Sequence, residues 1–360
     1  MDNLTDYILW MRDIPITATG FRDADMLVLC TLSYFDLSPV FTDKGGPAFV
    51  RDCRKMIDEG NVRVEIAGKD RGYLDILQAA ACSERFGNLR MTDYVSVLQE
   101  DPPLQFSAVT FHLDSSLSII AFRGTDDSLA GWREDFMIGF SHTKAQEYAK
   151  EYAGSVIAPE RRWMMGGHSK GGNLALYAAC MMDEEKTDSL DRIFLLDSPG
   201  LCPEVVDLNC MERVREKTTQ IIPVFSVIGK LFEPRISDTR IVRSSQNGFS
   251  QHNLVSWGID HGNLSLAEEN DAVSMWINQV LDKWIMNISR EERVVFVNEV
   301  FDALSAGGAK TLDDLSVMGW EGFTLIKTRL QHASETTKRI LNDLPRQAIL
   351  SGLPNLQHKK

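Results

Sequence analysis

At 360 residues, with 44% hydrophobic and 25% charged side chains, the chain can bury a core and hold one large α/β domain with a smaller appendage. A formal net charge of -13 argues against a nucleic-acid partner, which favours a basic face. The six cysteines, Cys30, Cys53, Cys82, Cys180, Cys202 and Cys210, are scattered without a C-x-x-C pair or histidines at metal spacing, so neither a disulfide framework nor a zinc site is expected.

The opening MDNLTDYILWMRD lacks a basic n-region and a long apolar core, so no signal peptide is read there. The longest nearly apolar run, Leu174 to Met182, is too short to cross a bilayer, and a cytoplasmic location is expected. The N-terminal third reads as mostly helical. Asp23 to Leu37 begins on a capping aspartate and is too densely apolar for an exposed face, which predicts a buried helix. Residues 48 to 59 and 70 to 83 predict two more. Strand patterns begin near Phe106: 106 to 113 and 117 to 122 flank the turn Asp114-Ser115-Ser116 and predict a hairpin. The second run empties into Arg123-Gly124-Thr125-Asp126-Asp127. A helix is expected from about Ser128, with Trp132, Phe136 and Phe140 on one face, and another over 143 to 157.

The stretch Trp163 to Cys180, WMMGGHSKGGNLALYAAC, reads as strand, sharp turn, helix. A nucleophilic serine needs this arrangement, because its side chain must stand clear of the backbone and the turn brings neighbouring atoms so close that only glycine fits. Gly167 and Gly171 occupy the two required positions around Ser169. A phosphate loop would need Lys directly after its last Gly, whereas Lys170 precedes Gly171. Isolated G-x-S-x-G patterns also occur in plain turns. Here the strand and helix flanks are those the chemistry demands.

Three further strand patterns follow, 192 to 196, 219 to 225 and 239 to 243, each ending in polar or turn residues. Strands alternating with helices predict a mostly parallel sheet flanked by helices, with active residues gathered at the strands' carboxyl ends. Ser169, Asp197 and His252 would share that edge. From about Ser289 the pattern changes to amphipathic helices over 290 to 305, 311 to 322 and 324 to 343, so the expected division is a domain over 1–288 and a C-terminal helical extension over 289–360.

A serine hydroxyl needs a base to take its proton and a third group to orient that base. Of the seven histidines, His252, in a loop after the last strand, is preferred as the base. His261, in the turn Asp260-His261-Gly262, is the alternative and otherwise a surface residue. His168, beside the serine, is expected to point away and pack the elbow. Asp197, directly after a strand, is the preferred acid, although an aspartate before Pro199-Gly200 also suits a plain turn. Glu233 and Asp238 are alternatives, the latter at the wrong end of its strand. Backbone amides of Lys170 and Thr125 are candidates for an oxyanion hole, with Gly124 permitting close approach.

AFRGTDDSLAGWREDF followed by GGHSKGGNLALYAA resembles the class 3 lipases of the α/β-hydrolases, in which an FRGT segment supplies the oxyanion loop and G-H-S-x-G the nucleophile. More closely, the chain resembles an uncharacterised bacterial, Mbeg-like branch of that group. It shares the early Asp6-Tyr7-Ile8, the LSYFDL segment, the GHSKGGNLA elbow, the D-x-P-G turn and the Q-H segment followed by Trp. The resemblance covers about residues 1 to 285 and implies an α/β-hydrolase fold with a helical N-terminal layer. One departure stands out. Class 3 lipases carry the acid after the next strand, where this chain has Phe225-Ser226-Val227-Ile228-Gly229 and no carboxylate. Either the acid has moved to Asp197, one strand earlier and about 5 Å away between adjacent strand ends, or the triad is incomplete. Lys170 is also unusual, and its charge beside the pocket would favour an anionic substrate.

Two readings result. The first is a serine esterase or lipase-like hydrolase acting on a small or lipid-like carboxyl ester through Ser169, His252 and Asp197, without metal or organic cofactor. In that reading 223 to 232 would form an acyl pocket, a lid or a buried strand end. The second is a non-catalytic hydrolase-fold scaffold that binds a protein partner through residues 289–360, although Val294, Val295, Val297 and Phe301 also suit packing on the parent domain.

Overall fold

A computed structural model of the chain describes residues 2–41, 48–64, 71–99, 104–125, 129–202, 204–232, 236–310, 314 and 320–350. Among these, nine strands form one sheet, and the first eight stand in sequence order: β1 (Ala48–Phe49), β2 (Arg90–Gln99), β3 (Leu104–His112), β4 (Leu117–Phe122), β5 (Arg162–His168), β6 (Leu190–Leu196), β7 (Thr218–Pro223) and β8 (Asp238–Val242). Two short strands, β9 (Ile259–Asp260) and β10 (Asn263–Leu264), pair as a separate hairpin, and β11 (Leu266–Ala267) closes the main sheet against β8. Strands β1 to β4 pair antiparallel, β4 to β8 parallel, and β11 antiparallel.

Sequential order among parallel strands has a consequence. Right-handed crossovers that all advance in one direction deposit their helices on the same face of the sheet. The helices Leu129–Ile138, Lys144–Val156, Lys170–Met181 and Leu208–Arg215 contribute to one apolar cluster there. The opposite face is covered by the N-terminal helices Leu4–Met11, Asp23–Leu32 and Arg71–Ala81. Period-two alternation feeds both: Ile119, Ala121, Phe194 and Leu196 pack under the N-terminal layer, whereas Ile120, Phe122, Ile193 and Leu195 face the crossover helices. The result is a mixed α/β fold with a large sheet, parallel at its centre and flanked by helices, as the strand and helix patterns predict.

The expected helix over 23 to 37 is shorter, ending at Leu32, and it is Asp25 that caps it, accepting from the Arg22 amide at 2.8 Å. Asp25 is fully buried and also pairs with Arg85, while its Oδ1 accepts from the Tyr7 hydroxyl at 2.7 Å. Asp23 instead binds Arg192 and Arg240. The strand β2 was not foreseen, and it carries a register shift between Thr92 and Val95 with Asp93 at φ 55°. The helix after Arg123-Gly124-Thr125 stops at Ile138, so Phe140 lies beyond it, and Phe136 is exposed. Gly139 accepts the ring of Phe232 where a Cβ would stand 2.0 Å from it.

The helix Arg290–Ser305 follows its predicted bounds and packs Val297 and Phe301 into the crossover-face cluster, while Arg293 reaches Glu204 at 3.1 Å. Two further helices, Trp320–Gln331 and Glu335–Leu350, replace the single one expected over 324 to 343. The predicted helix over 311 to 322 falls largely outside the described residues, as do Asp126, Asp127 and Glu233. Among the described residues no helix is long and apolar enough to cross a membrane.

Candidate active site

Strand β5 ends at His168 and the helix Lys170–Met181 starts two residues later, leaving Ser169 as the single residue that reverses direction. It does so at φ 55° and ψ -126°, a conformation L-residues adopt at a cost of roughly 1–3 kcal/mol. The turn is tight enough that a Cβ on Gly167 would lie 2.2 Å from the Gly171 carbonyl carbon. One on Gly171 would lie 2.2 Å from the Phe122 oxygen. At both glycines the turn leaves no room for a side chain.

The three sequence-selected side chains meet at this edge. His252, at the end of a short 3-10 helix (Gly248–His252), places Nε2 3.1 Å from Ser169 Oγ and Nδ1 2.6 Å from Asp197 Oδ2. A carboxylate only accepts hydrogen bonds, so Nδ1 carries the proton and the Nε2 lone pair faces the serine hydroxyl. Asp197 follows β6 at φ 43° and is buried. Its other oxygen, Oδ1, accepts from the Ser226 hydroxyl at 2.6 Å and from the Gly229 amide at 3.1 Å. The segment that lacks a carboxylate thus supplies the donors that hold one. Ser226 is itself fixed from outside, its carbonyl accepting from Asn278 Nδ2 at 2.9 Å.

The rival assignments separate from this centre. His261 lies on the β9–β10 turn, 90% exposed and paired with Asp260. Asp238 opens β8 and binds Arg240 and Thr219.

Lys170 corrects an expectation. Its side chain turns into the core, where Nζ donates to Glu134 at 2.9 Å and to the Gln105 carbonyl at 3.0 Å. As the first residue of its helix it still has an amide without an intrahelical acceptor, directed at the turn. Thr125 stands at the same cavity, and its hydroxyl donates to Asp135. Burial pushes the Asp135 carboxyl up to about 7, against the pull of Lys170 and the Thr125 bond.

Ser169 opens into a cavity of about 730 Å³. Its walls include Tyr34, Tyr73, Trp132 and Phe249, with Asp6 and Asp75 beside them. No lysine or arginine is among the described lining residues, so the charge expected from Lys170 is not offered to a ligand. Residues 223 to 232 are not part of that lining. Val227 and Leu231 are buried, and Phe232 packs on Gly139 and Phe140. Among the described residues no three His, Cys, Asp or Glu side chains are placed to hold a metal ion.

His168 also departs from expectation. Its ring lies over that of His252, centroids 4.4 Å apart, and it lines the cavity. Its Nε2 meets the His252 main-chain carbonyl at 2.7 Å and its Nδ1 the Tyr34 hydroxyl at 2.7 Å. Burial, reinforced by His252, holds His168 well below the usual imidazole range and hence neutral. Neither Tyr34 nor Asp135 was singled out as part of the site. The LSYFDL segment, matched for its pattern, was the available signal for Tyr34.

No curated protein matches the sequence. Among solved structures, M37 lipase aligns with a TM-score of 0.34 at 14% identity, covering 58% of this chain and 70% of that one. The native propeptide complex of Rhizomucor miehei lipase aligns with a TM-score of 0.31 at 16% identity, covering 62% and 68%. A family model for Mbeg1-like proteins matches residues 80–302, a span that takes in the whole sheet from β2 onward together with Ser169, Asp197 and His252. With more than half of its length so matched, the chain belongs to the Mbeg1-like family.

Proposed function

We propose that this protein is a serine hydrolase of α/β-hydrolase type that cleaves a carboxyl ester through a covalent acyl-enzyme. The observation that carries the reading is the unbroken line from Asp197 Oδ2 to His252 Nδ1 at 2.6 Å and from His252 Nε2 to Ser169 Oγ at 3.1 Å. Ser169 Oγ attacks the ester carbonyl as Nε2 takes its proton, and Asp197 stabilises the imidazolium that forms. Lys170 and Thr125 amides bind the oxyanion. The imidazolium then protonates the leaving alcohol, and water activated by the same base releases the acid and restores Ser169. The strained φ of Ser169 supports the nucleophile role, because such outliers persist where surrounding structure enforces them.

The test is hydrolysis of p-nitrophenyl esters from acetate to palmitate by the wild type, Ser169→Ala and His252→Ala, each checked for folding by circular dichroism. Turnover by the wild type that falls at least about 10³-fold in both variants is expected. Equal residual rates in all three would assign the hydrolysis to something other than this site.

A further inference from the structure

The base and the oxyanion loop belong to segments far apart in sequence, yet both must hold their places around Ser169 to within a fraction of an ångström. Two buried side chains join them. Gly124, beside the oxyanion residue Thr125, packs directly against the Tyr34 hydroxyl. That hydroxyl lies 2.7 Å from His168 Nδ1, and His168 Nε2 lies 2.7 Å from the His252 carbonyl oxygen.

The proton positions follow from the ends of the chain. The His252 carbonyl only accepts, so His168 carries its proton on Nε2 and accepts at Nδ1 from Tyr34 O–H. Tyr34 thus donates to His168, and His168 donates to the His252 carbonyl. Both bonds therefore point the same way, from Tyr34 to the base. The packing at each joint is close. A Cβ at Gly124 would stand 2.1 Å from Tyr34 Oη and 2.6 Å from the His168 carbonyl oxygen. Tyr34 is fully buried, its ring edge-on to Tyr73 at 5.8 Å.

We propose that Tyr34 and His168 are positioning residues that hold the His252 backbone in register with the Gly124–Thr125 loop, so that the base and the oxyanion donors keep a fixed geometry about Ser169. The inference rests on the serine hydrolase reading. It assigns the second histidine of the site no proton transfer with substrate, only a neutral donor–acceptor bridge.

Steady-state hydrolysis of p-nitrophenyl butyrate and the rate of fluorophosphonate labelling test this with Tyr34→Phe, His168→Phe and His168→Gln. A glutamine can keep a donor for the His252 carbonyl and an acceptor for Tyr34, which phenylalanine cannot. The expected result is a kcat lower by about 10-fold in Tyr34→Phe and about 100-fold in His168→Phe, with KM within about twofold and most of the loss recovered in His168→Gln. Since Tyr34→Phe removes a single oxygen, it decides the matter where His168→Phe fails to fold. A folded Tyr34→Phe with wild-type kcat, or a His168→Gln that falls as far as His168→Phe, overturns the proposal while the wild type still reacts. A wild type that neither hydrolyses the ester nor takes the label removes the hydrolase reading itself and this inference with it.

Discussion

Replacing Asp197 by asparagine probes the orientation of the base with almost no change of shape. The structure dictates how the new amide sits. The Oδ1 position faces the Ser226 hydroxyl and the Gly229 amide, and the latter can only donate, so the amide oxygen of Asn takes that place. The NH2 group is then forced toward His252 Nδ1, where the carboxylate oxygen had accepted at 2.6 Å. Two donors cannot share that contact, so the imidazole moves its proton to Nε2, the atom 3.1 Å from Ser169 Oγ. It then has no lone pair for the serine proton. Loss of the orienting carboxylate in this way costs about 10⁴-fold in kcat, or about 5.5 kcal/mol of transition-state stabilisation at 1.36 kcal/mol per decade. KM should change little, because Asp197 is buried behind His252 and not among the cavity-lining residues. The assay is p-nitrophenyl butyrate hydrolysis by wild type and Asp197→Asn, with thermal unfolding as the check on folding. A folded variant within about tenfold of wild type would refute Asp197 as the orienting acid.

Other perturbations address the scaffold. Arg85→Met leaves the fully buried Asp25 carboxylate without its cation and should destabilise the protein by about 3–5 kcal/mol in urea titration; a loss under about 1 kcal/mol would mean the pair does not anchor the N-terminal layer. Gly171→Ala drives a methyl group into the Phe122 carbonyl and should abolish reaction at Ser169 even in the folded fraction, read by fluorophosphonate labelling of soluble protein. Asp135 supplies a pH test. With its folded value raised from 3.8 to about 7, the folded state binds the extra proton, so its contribution is fully present below about pH 4, fades as pH rises to 7 and is flat above. The Tm of wild type minus that of Asp135→Asn should therefore fall between pH 4 and 7. A difference independent of pH would contradict the raised value.

The elbow was legible because strand, glycines and helix lie within eighteen consecutive residues, and their steric demands are local. The strands β4 to β8 were likewise readable as short β-rich runs ending in turn residues. What escaped has particular causes. In β2, the irregularity between Thr92 and Val95, with Asp93 at positive φ, shifts the alternation in mid-strand and blurs the period-two signal. The i, i+4, i+8 pattern of Trp132, Phe136 and Phe140 implied one helical face, but the helix ends at Ile138 and Phe232 packs on Gly139. Lys170 suggests a pocket charge in sequence because sequence does not show where a side chain turns, and its acceptor Glu134 comes from another helix. The link from Tyr34 to His168 spans 134 positions, so only tertiary structure brings it into view.

Whether Ser169 is an activated nucleophile is read most directly by covalent labelling. Purified protein is incubated with a fluorophosphonate, its intact mass measured, and the modified peptide sequenced by fragmentation. One adduct per chain is expected, located on Ser169, absent from Ser169→Ala and formed much more slowly by His252→Ala. A folded wild type that gains no mass under conditions that saturate a known serine hydrolase, or an adduct that persists in Ser169→Ala, would contradict an activated Ser169.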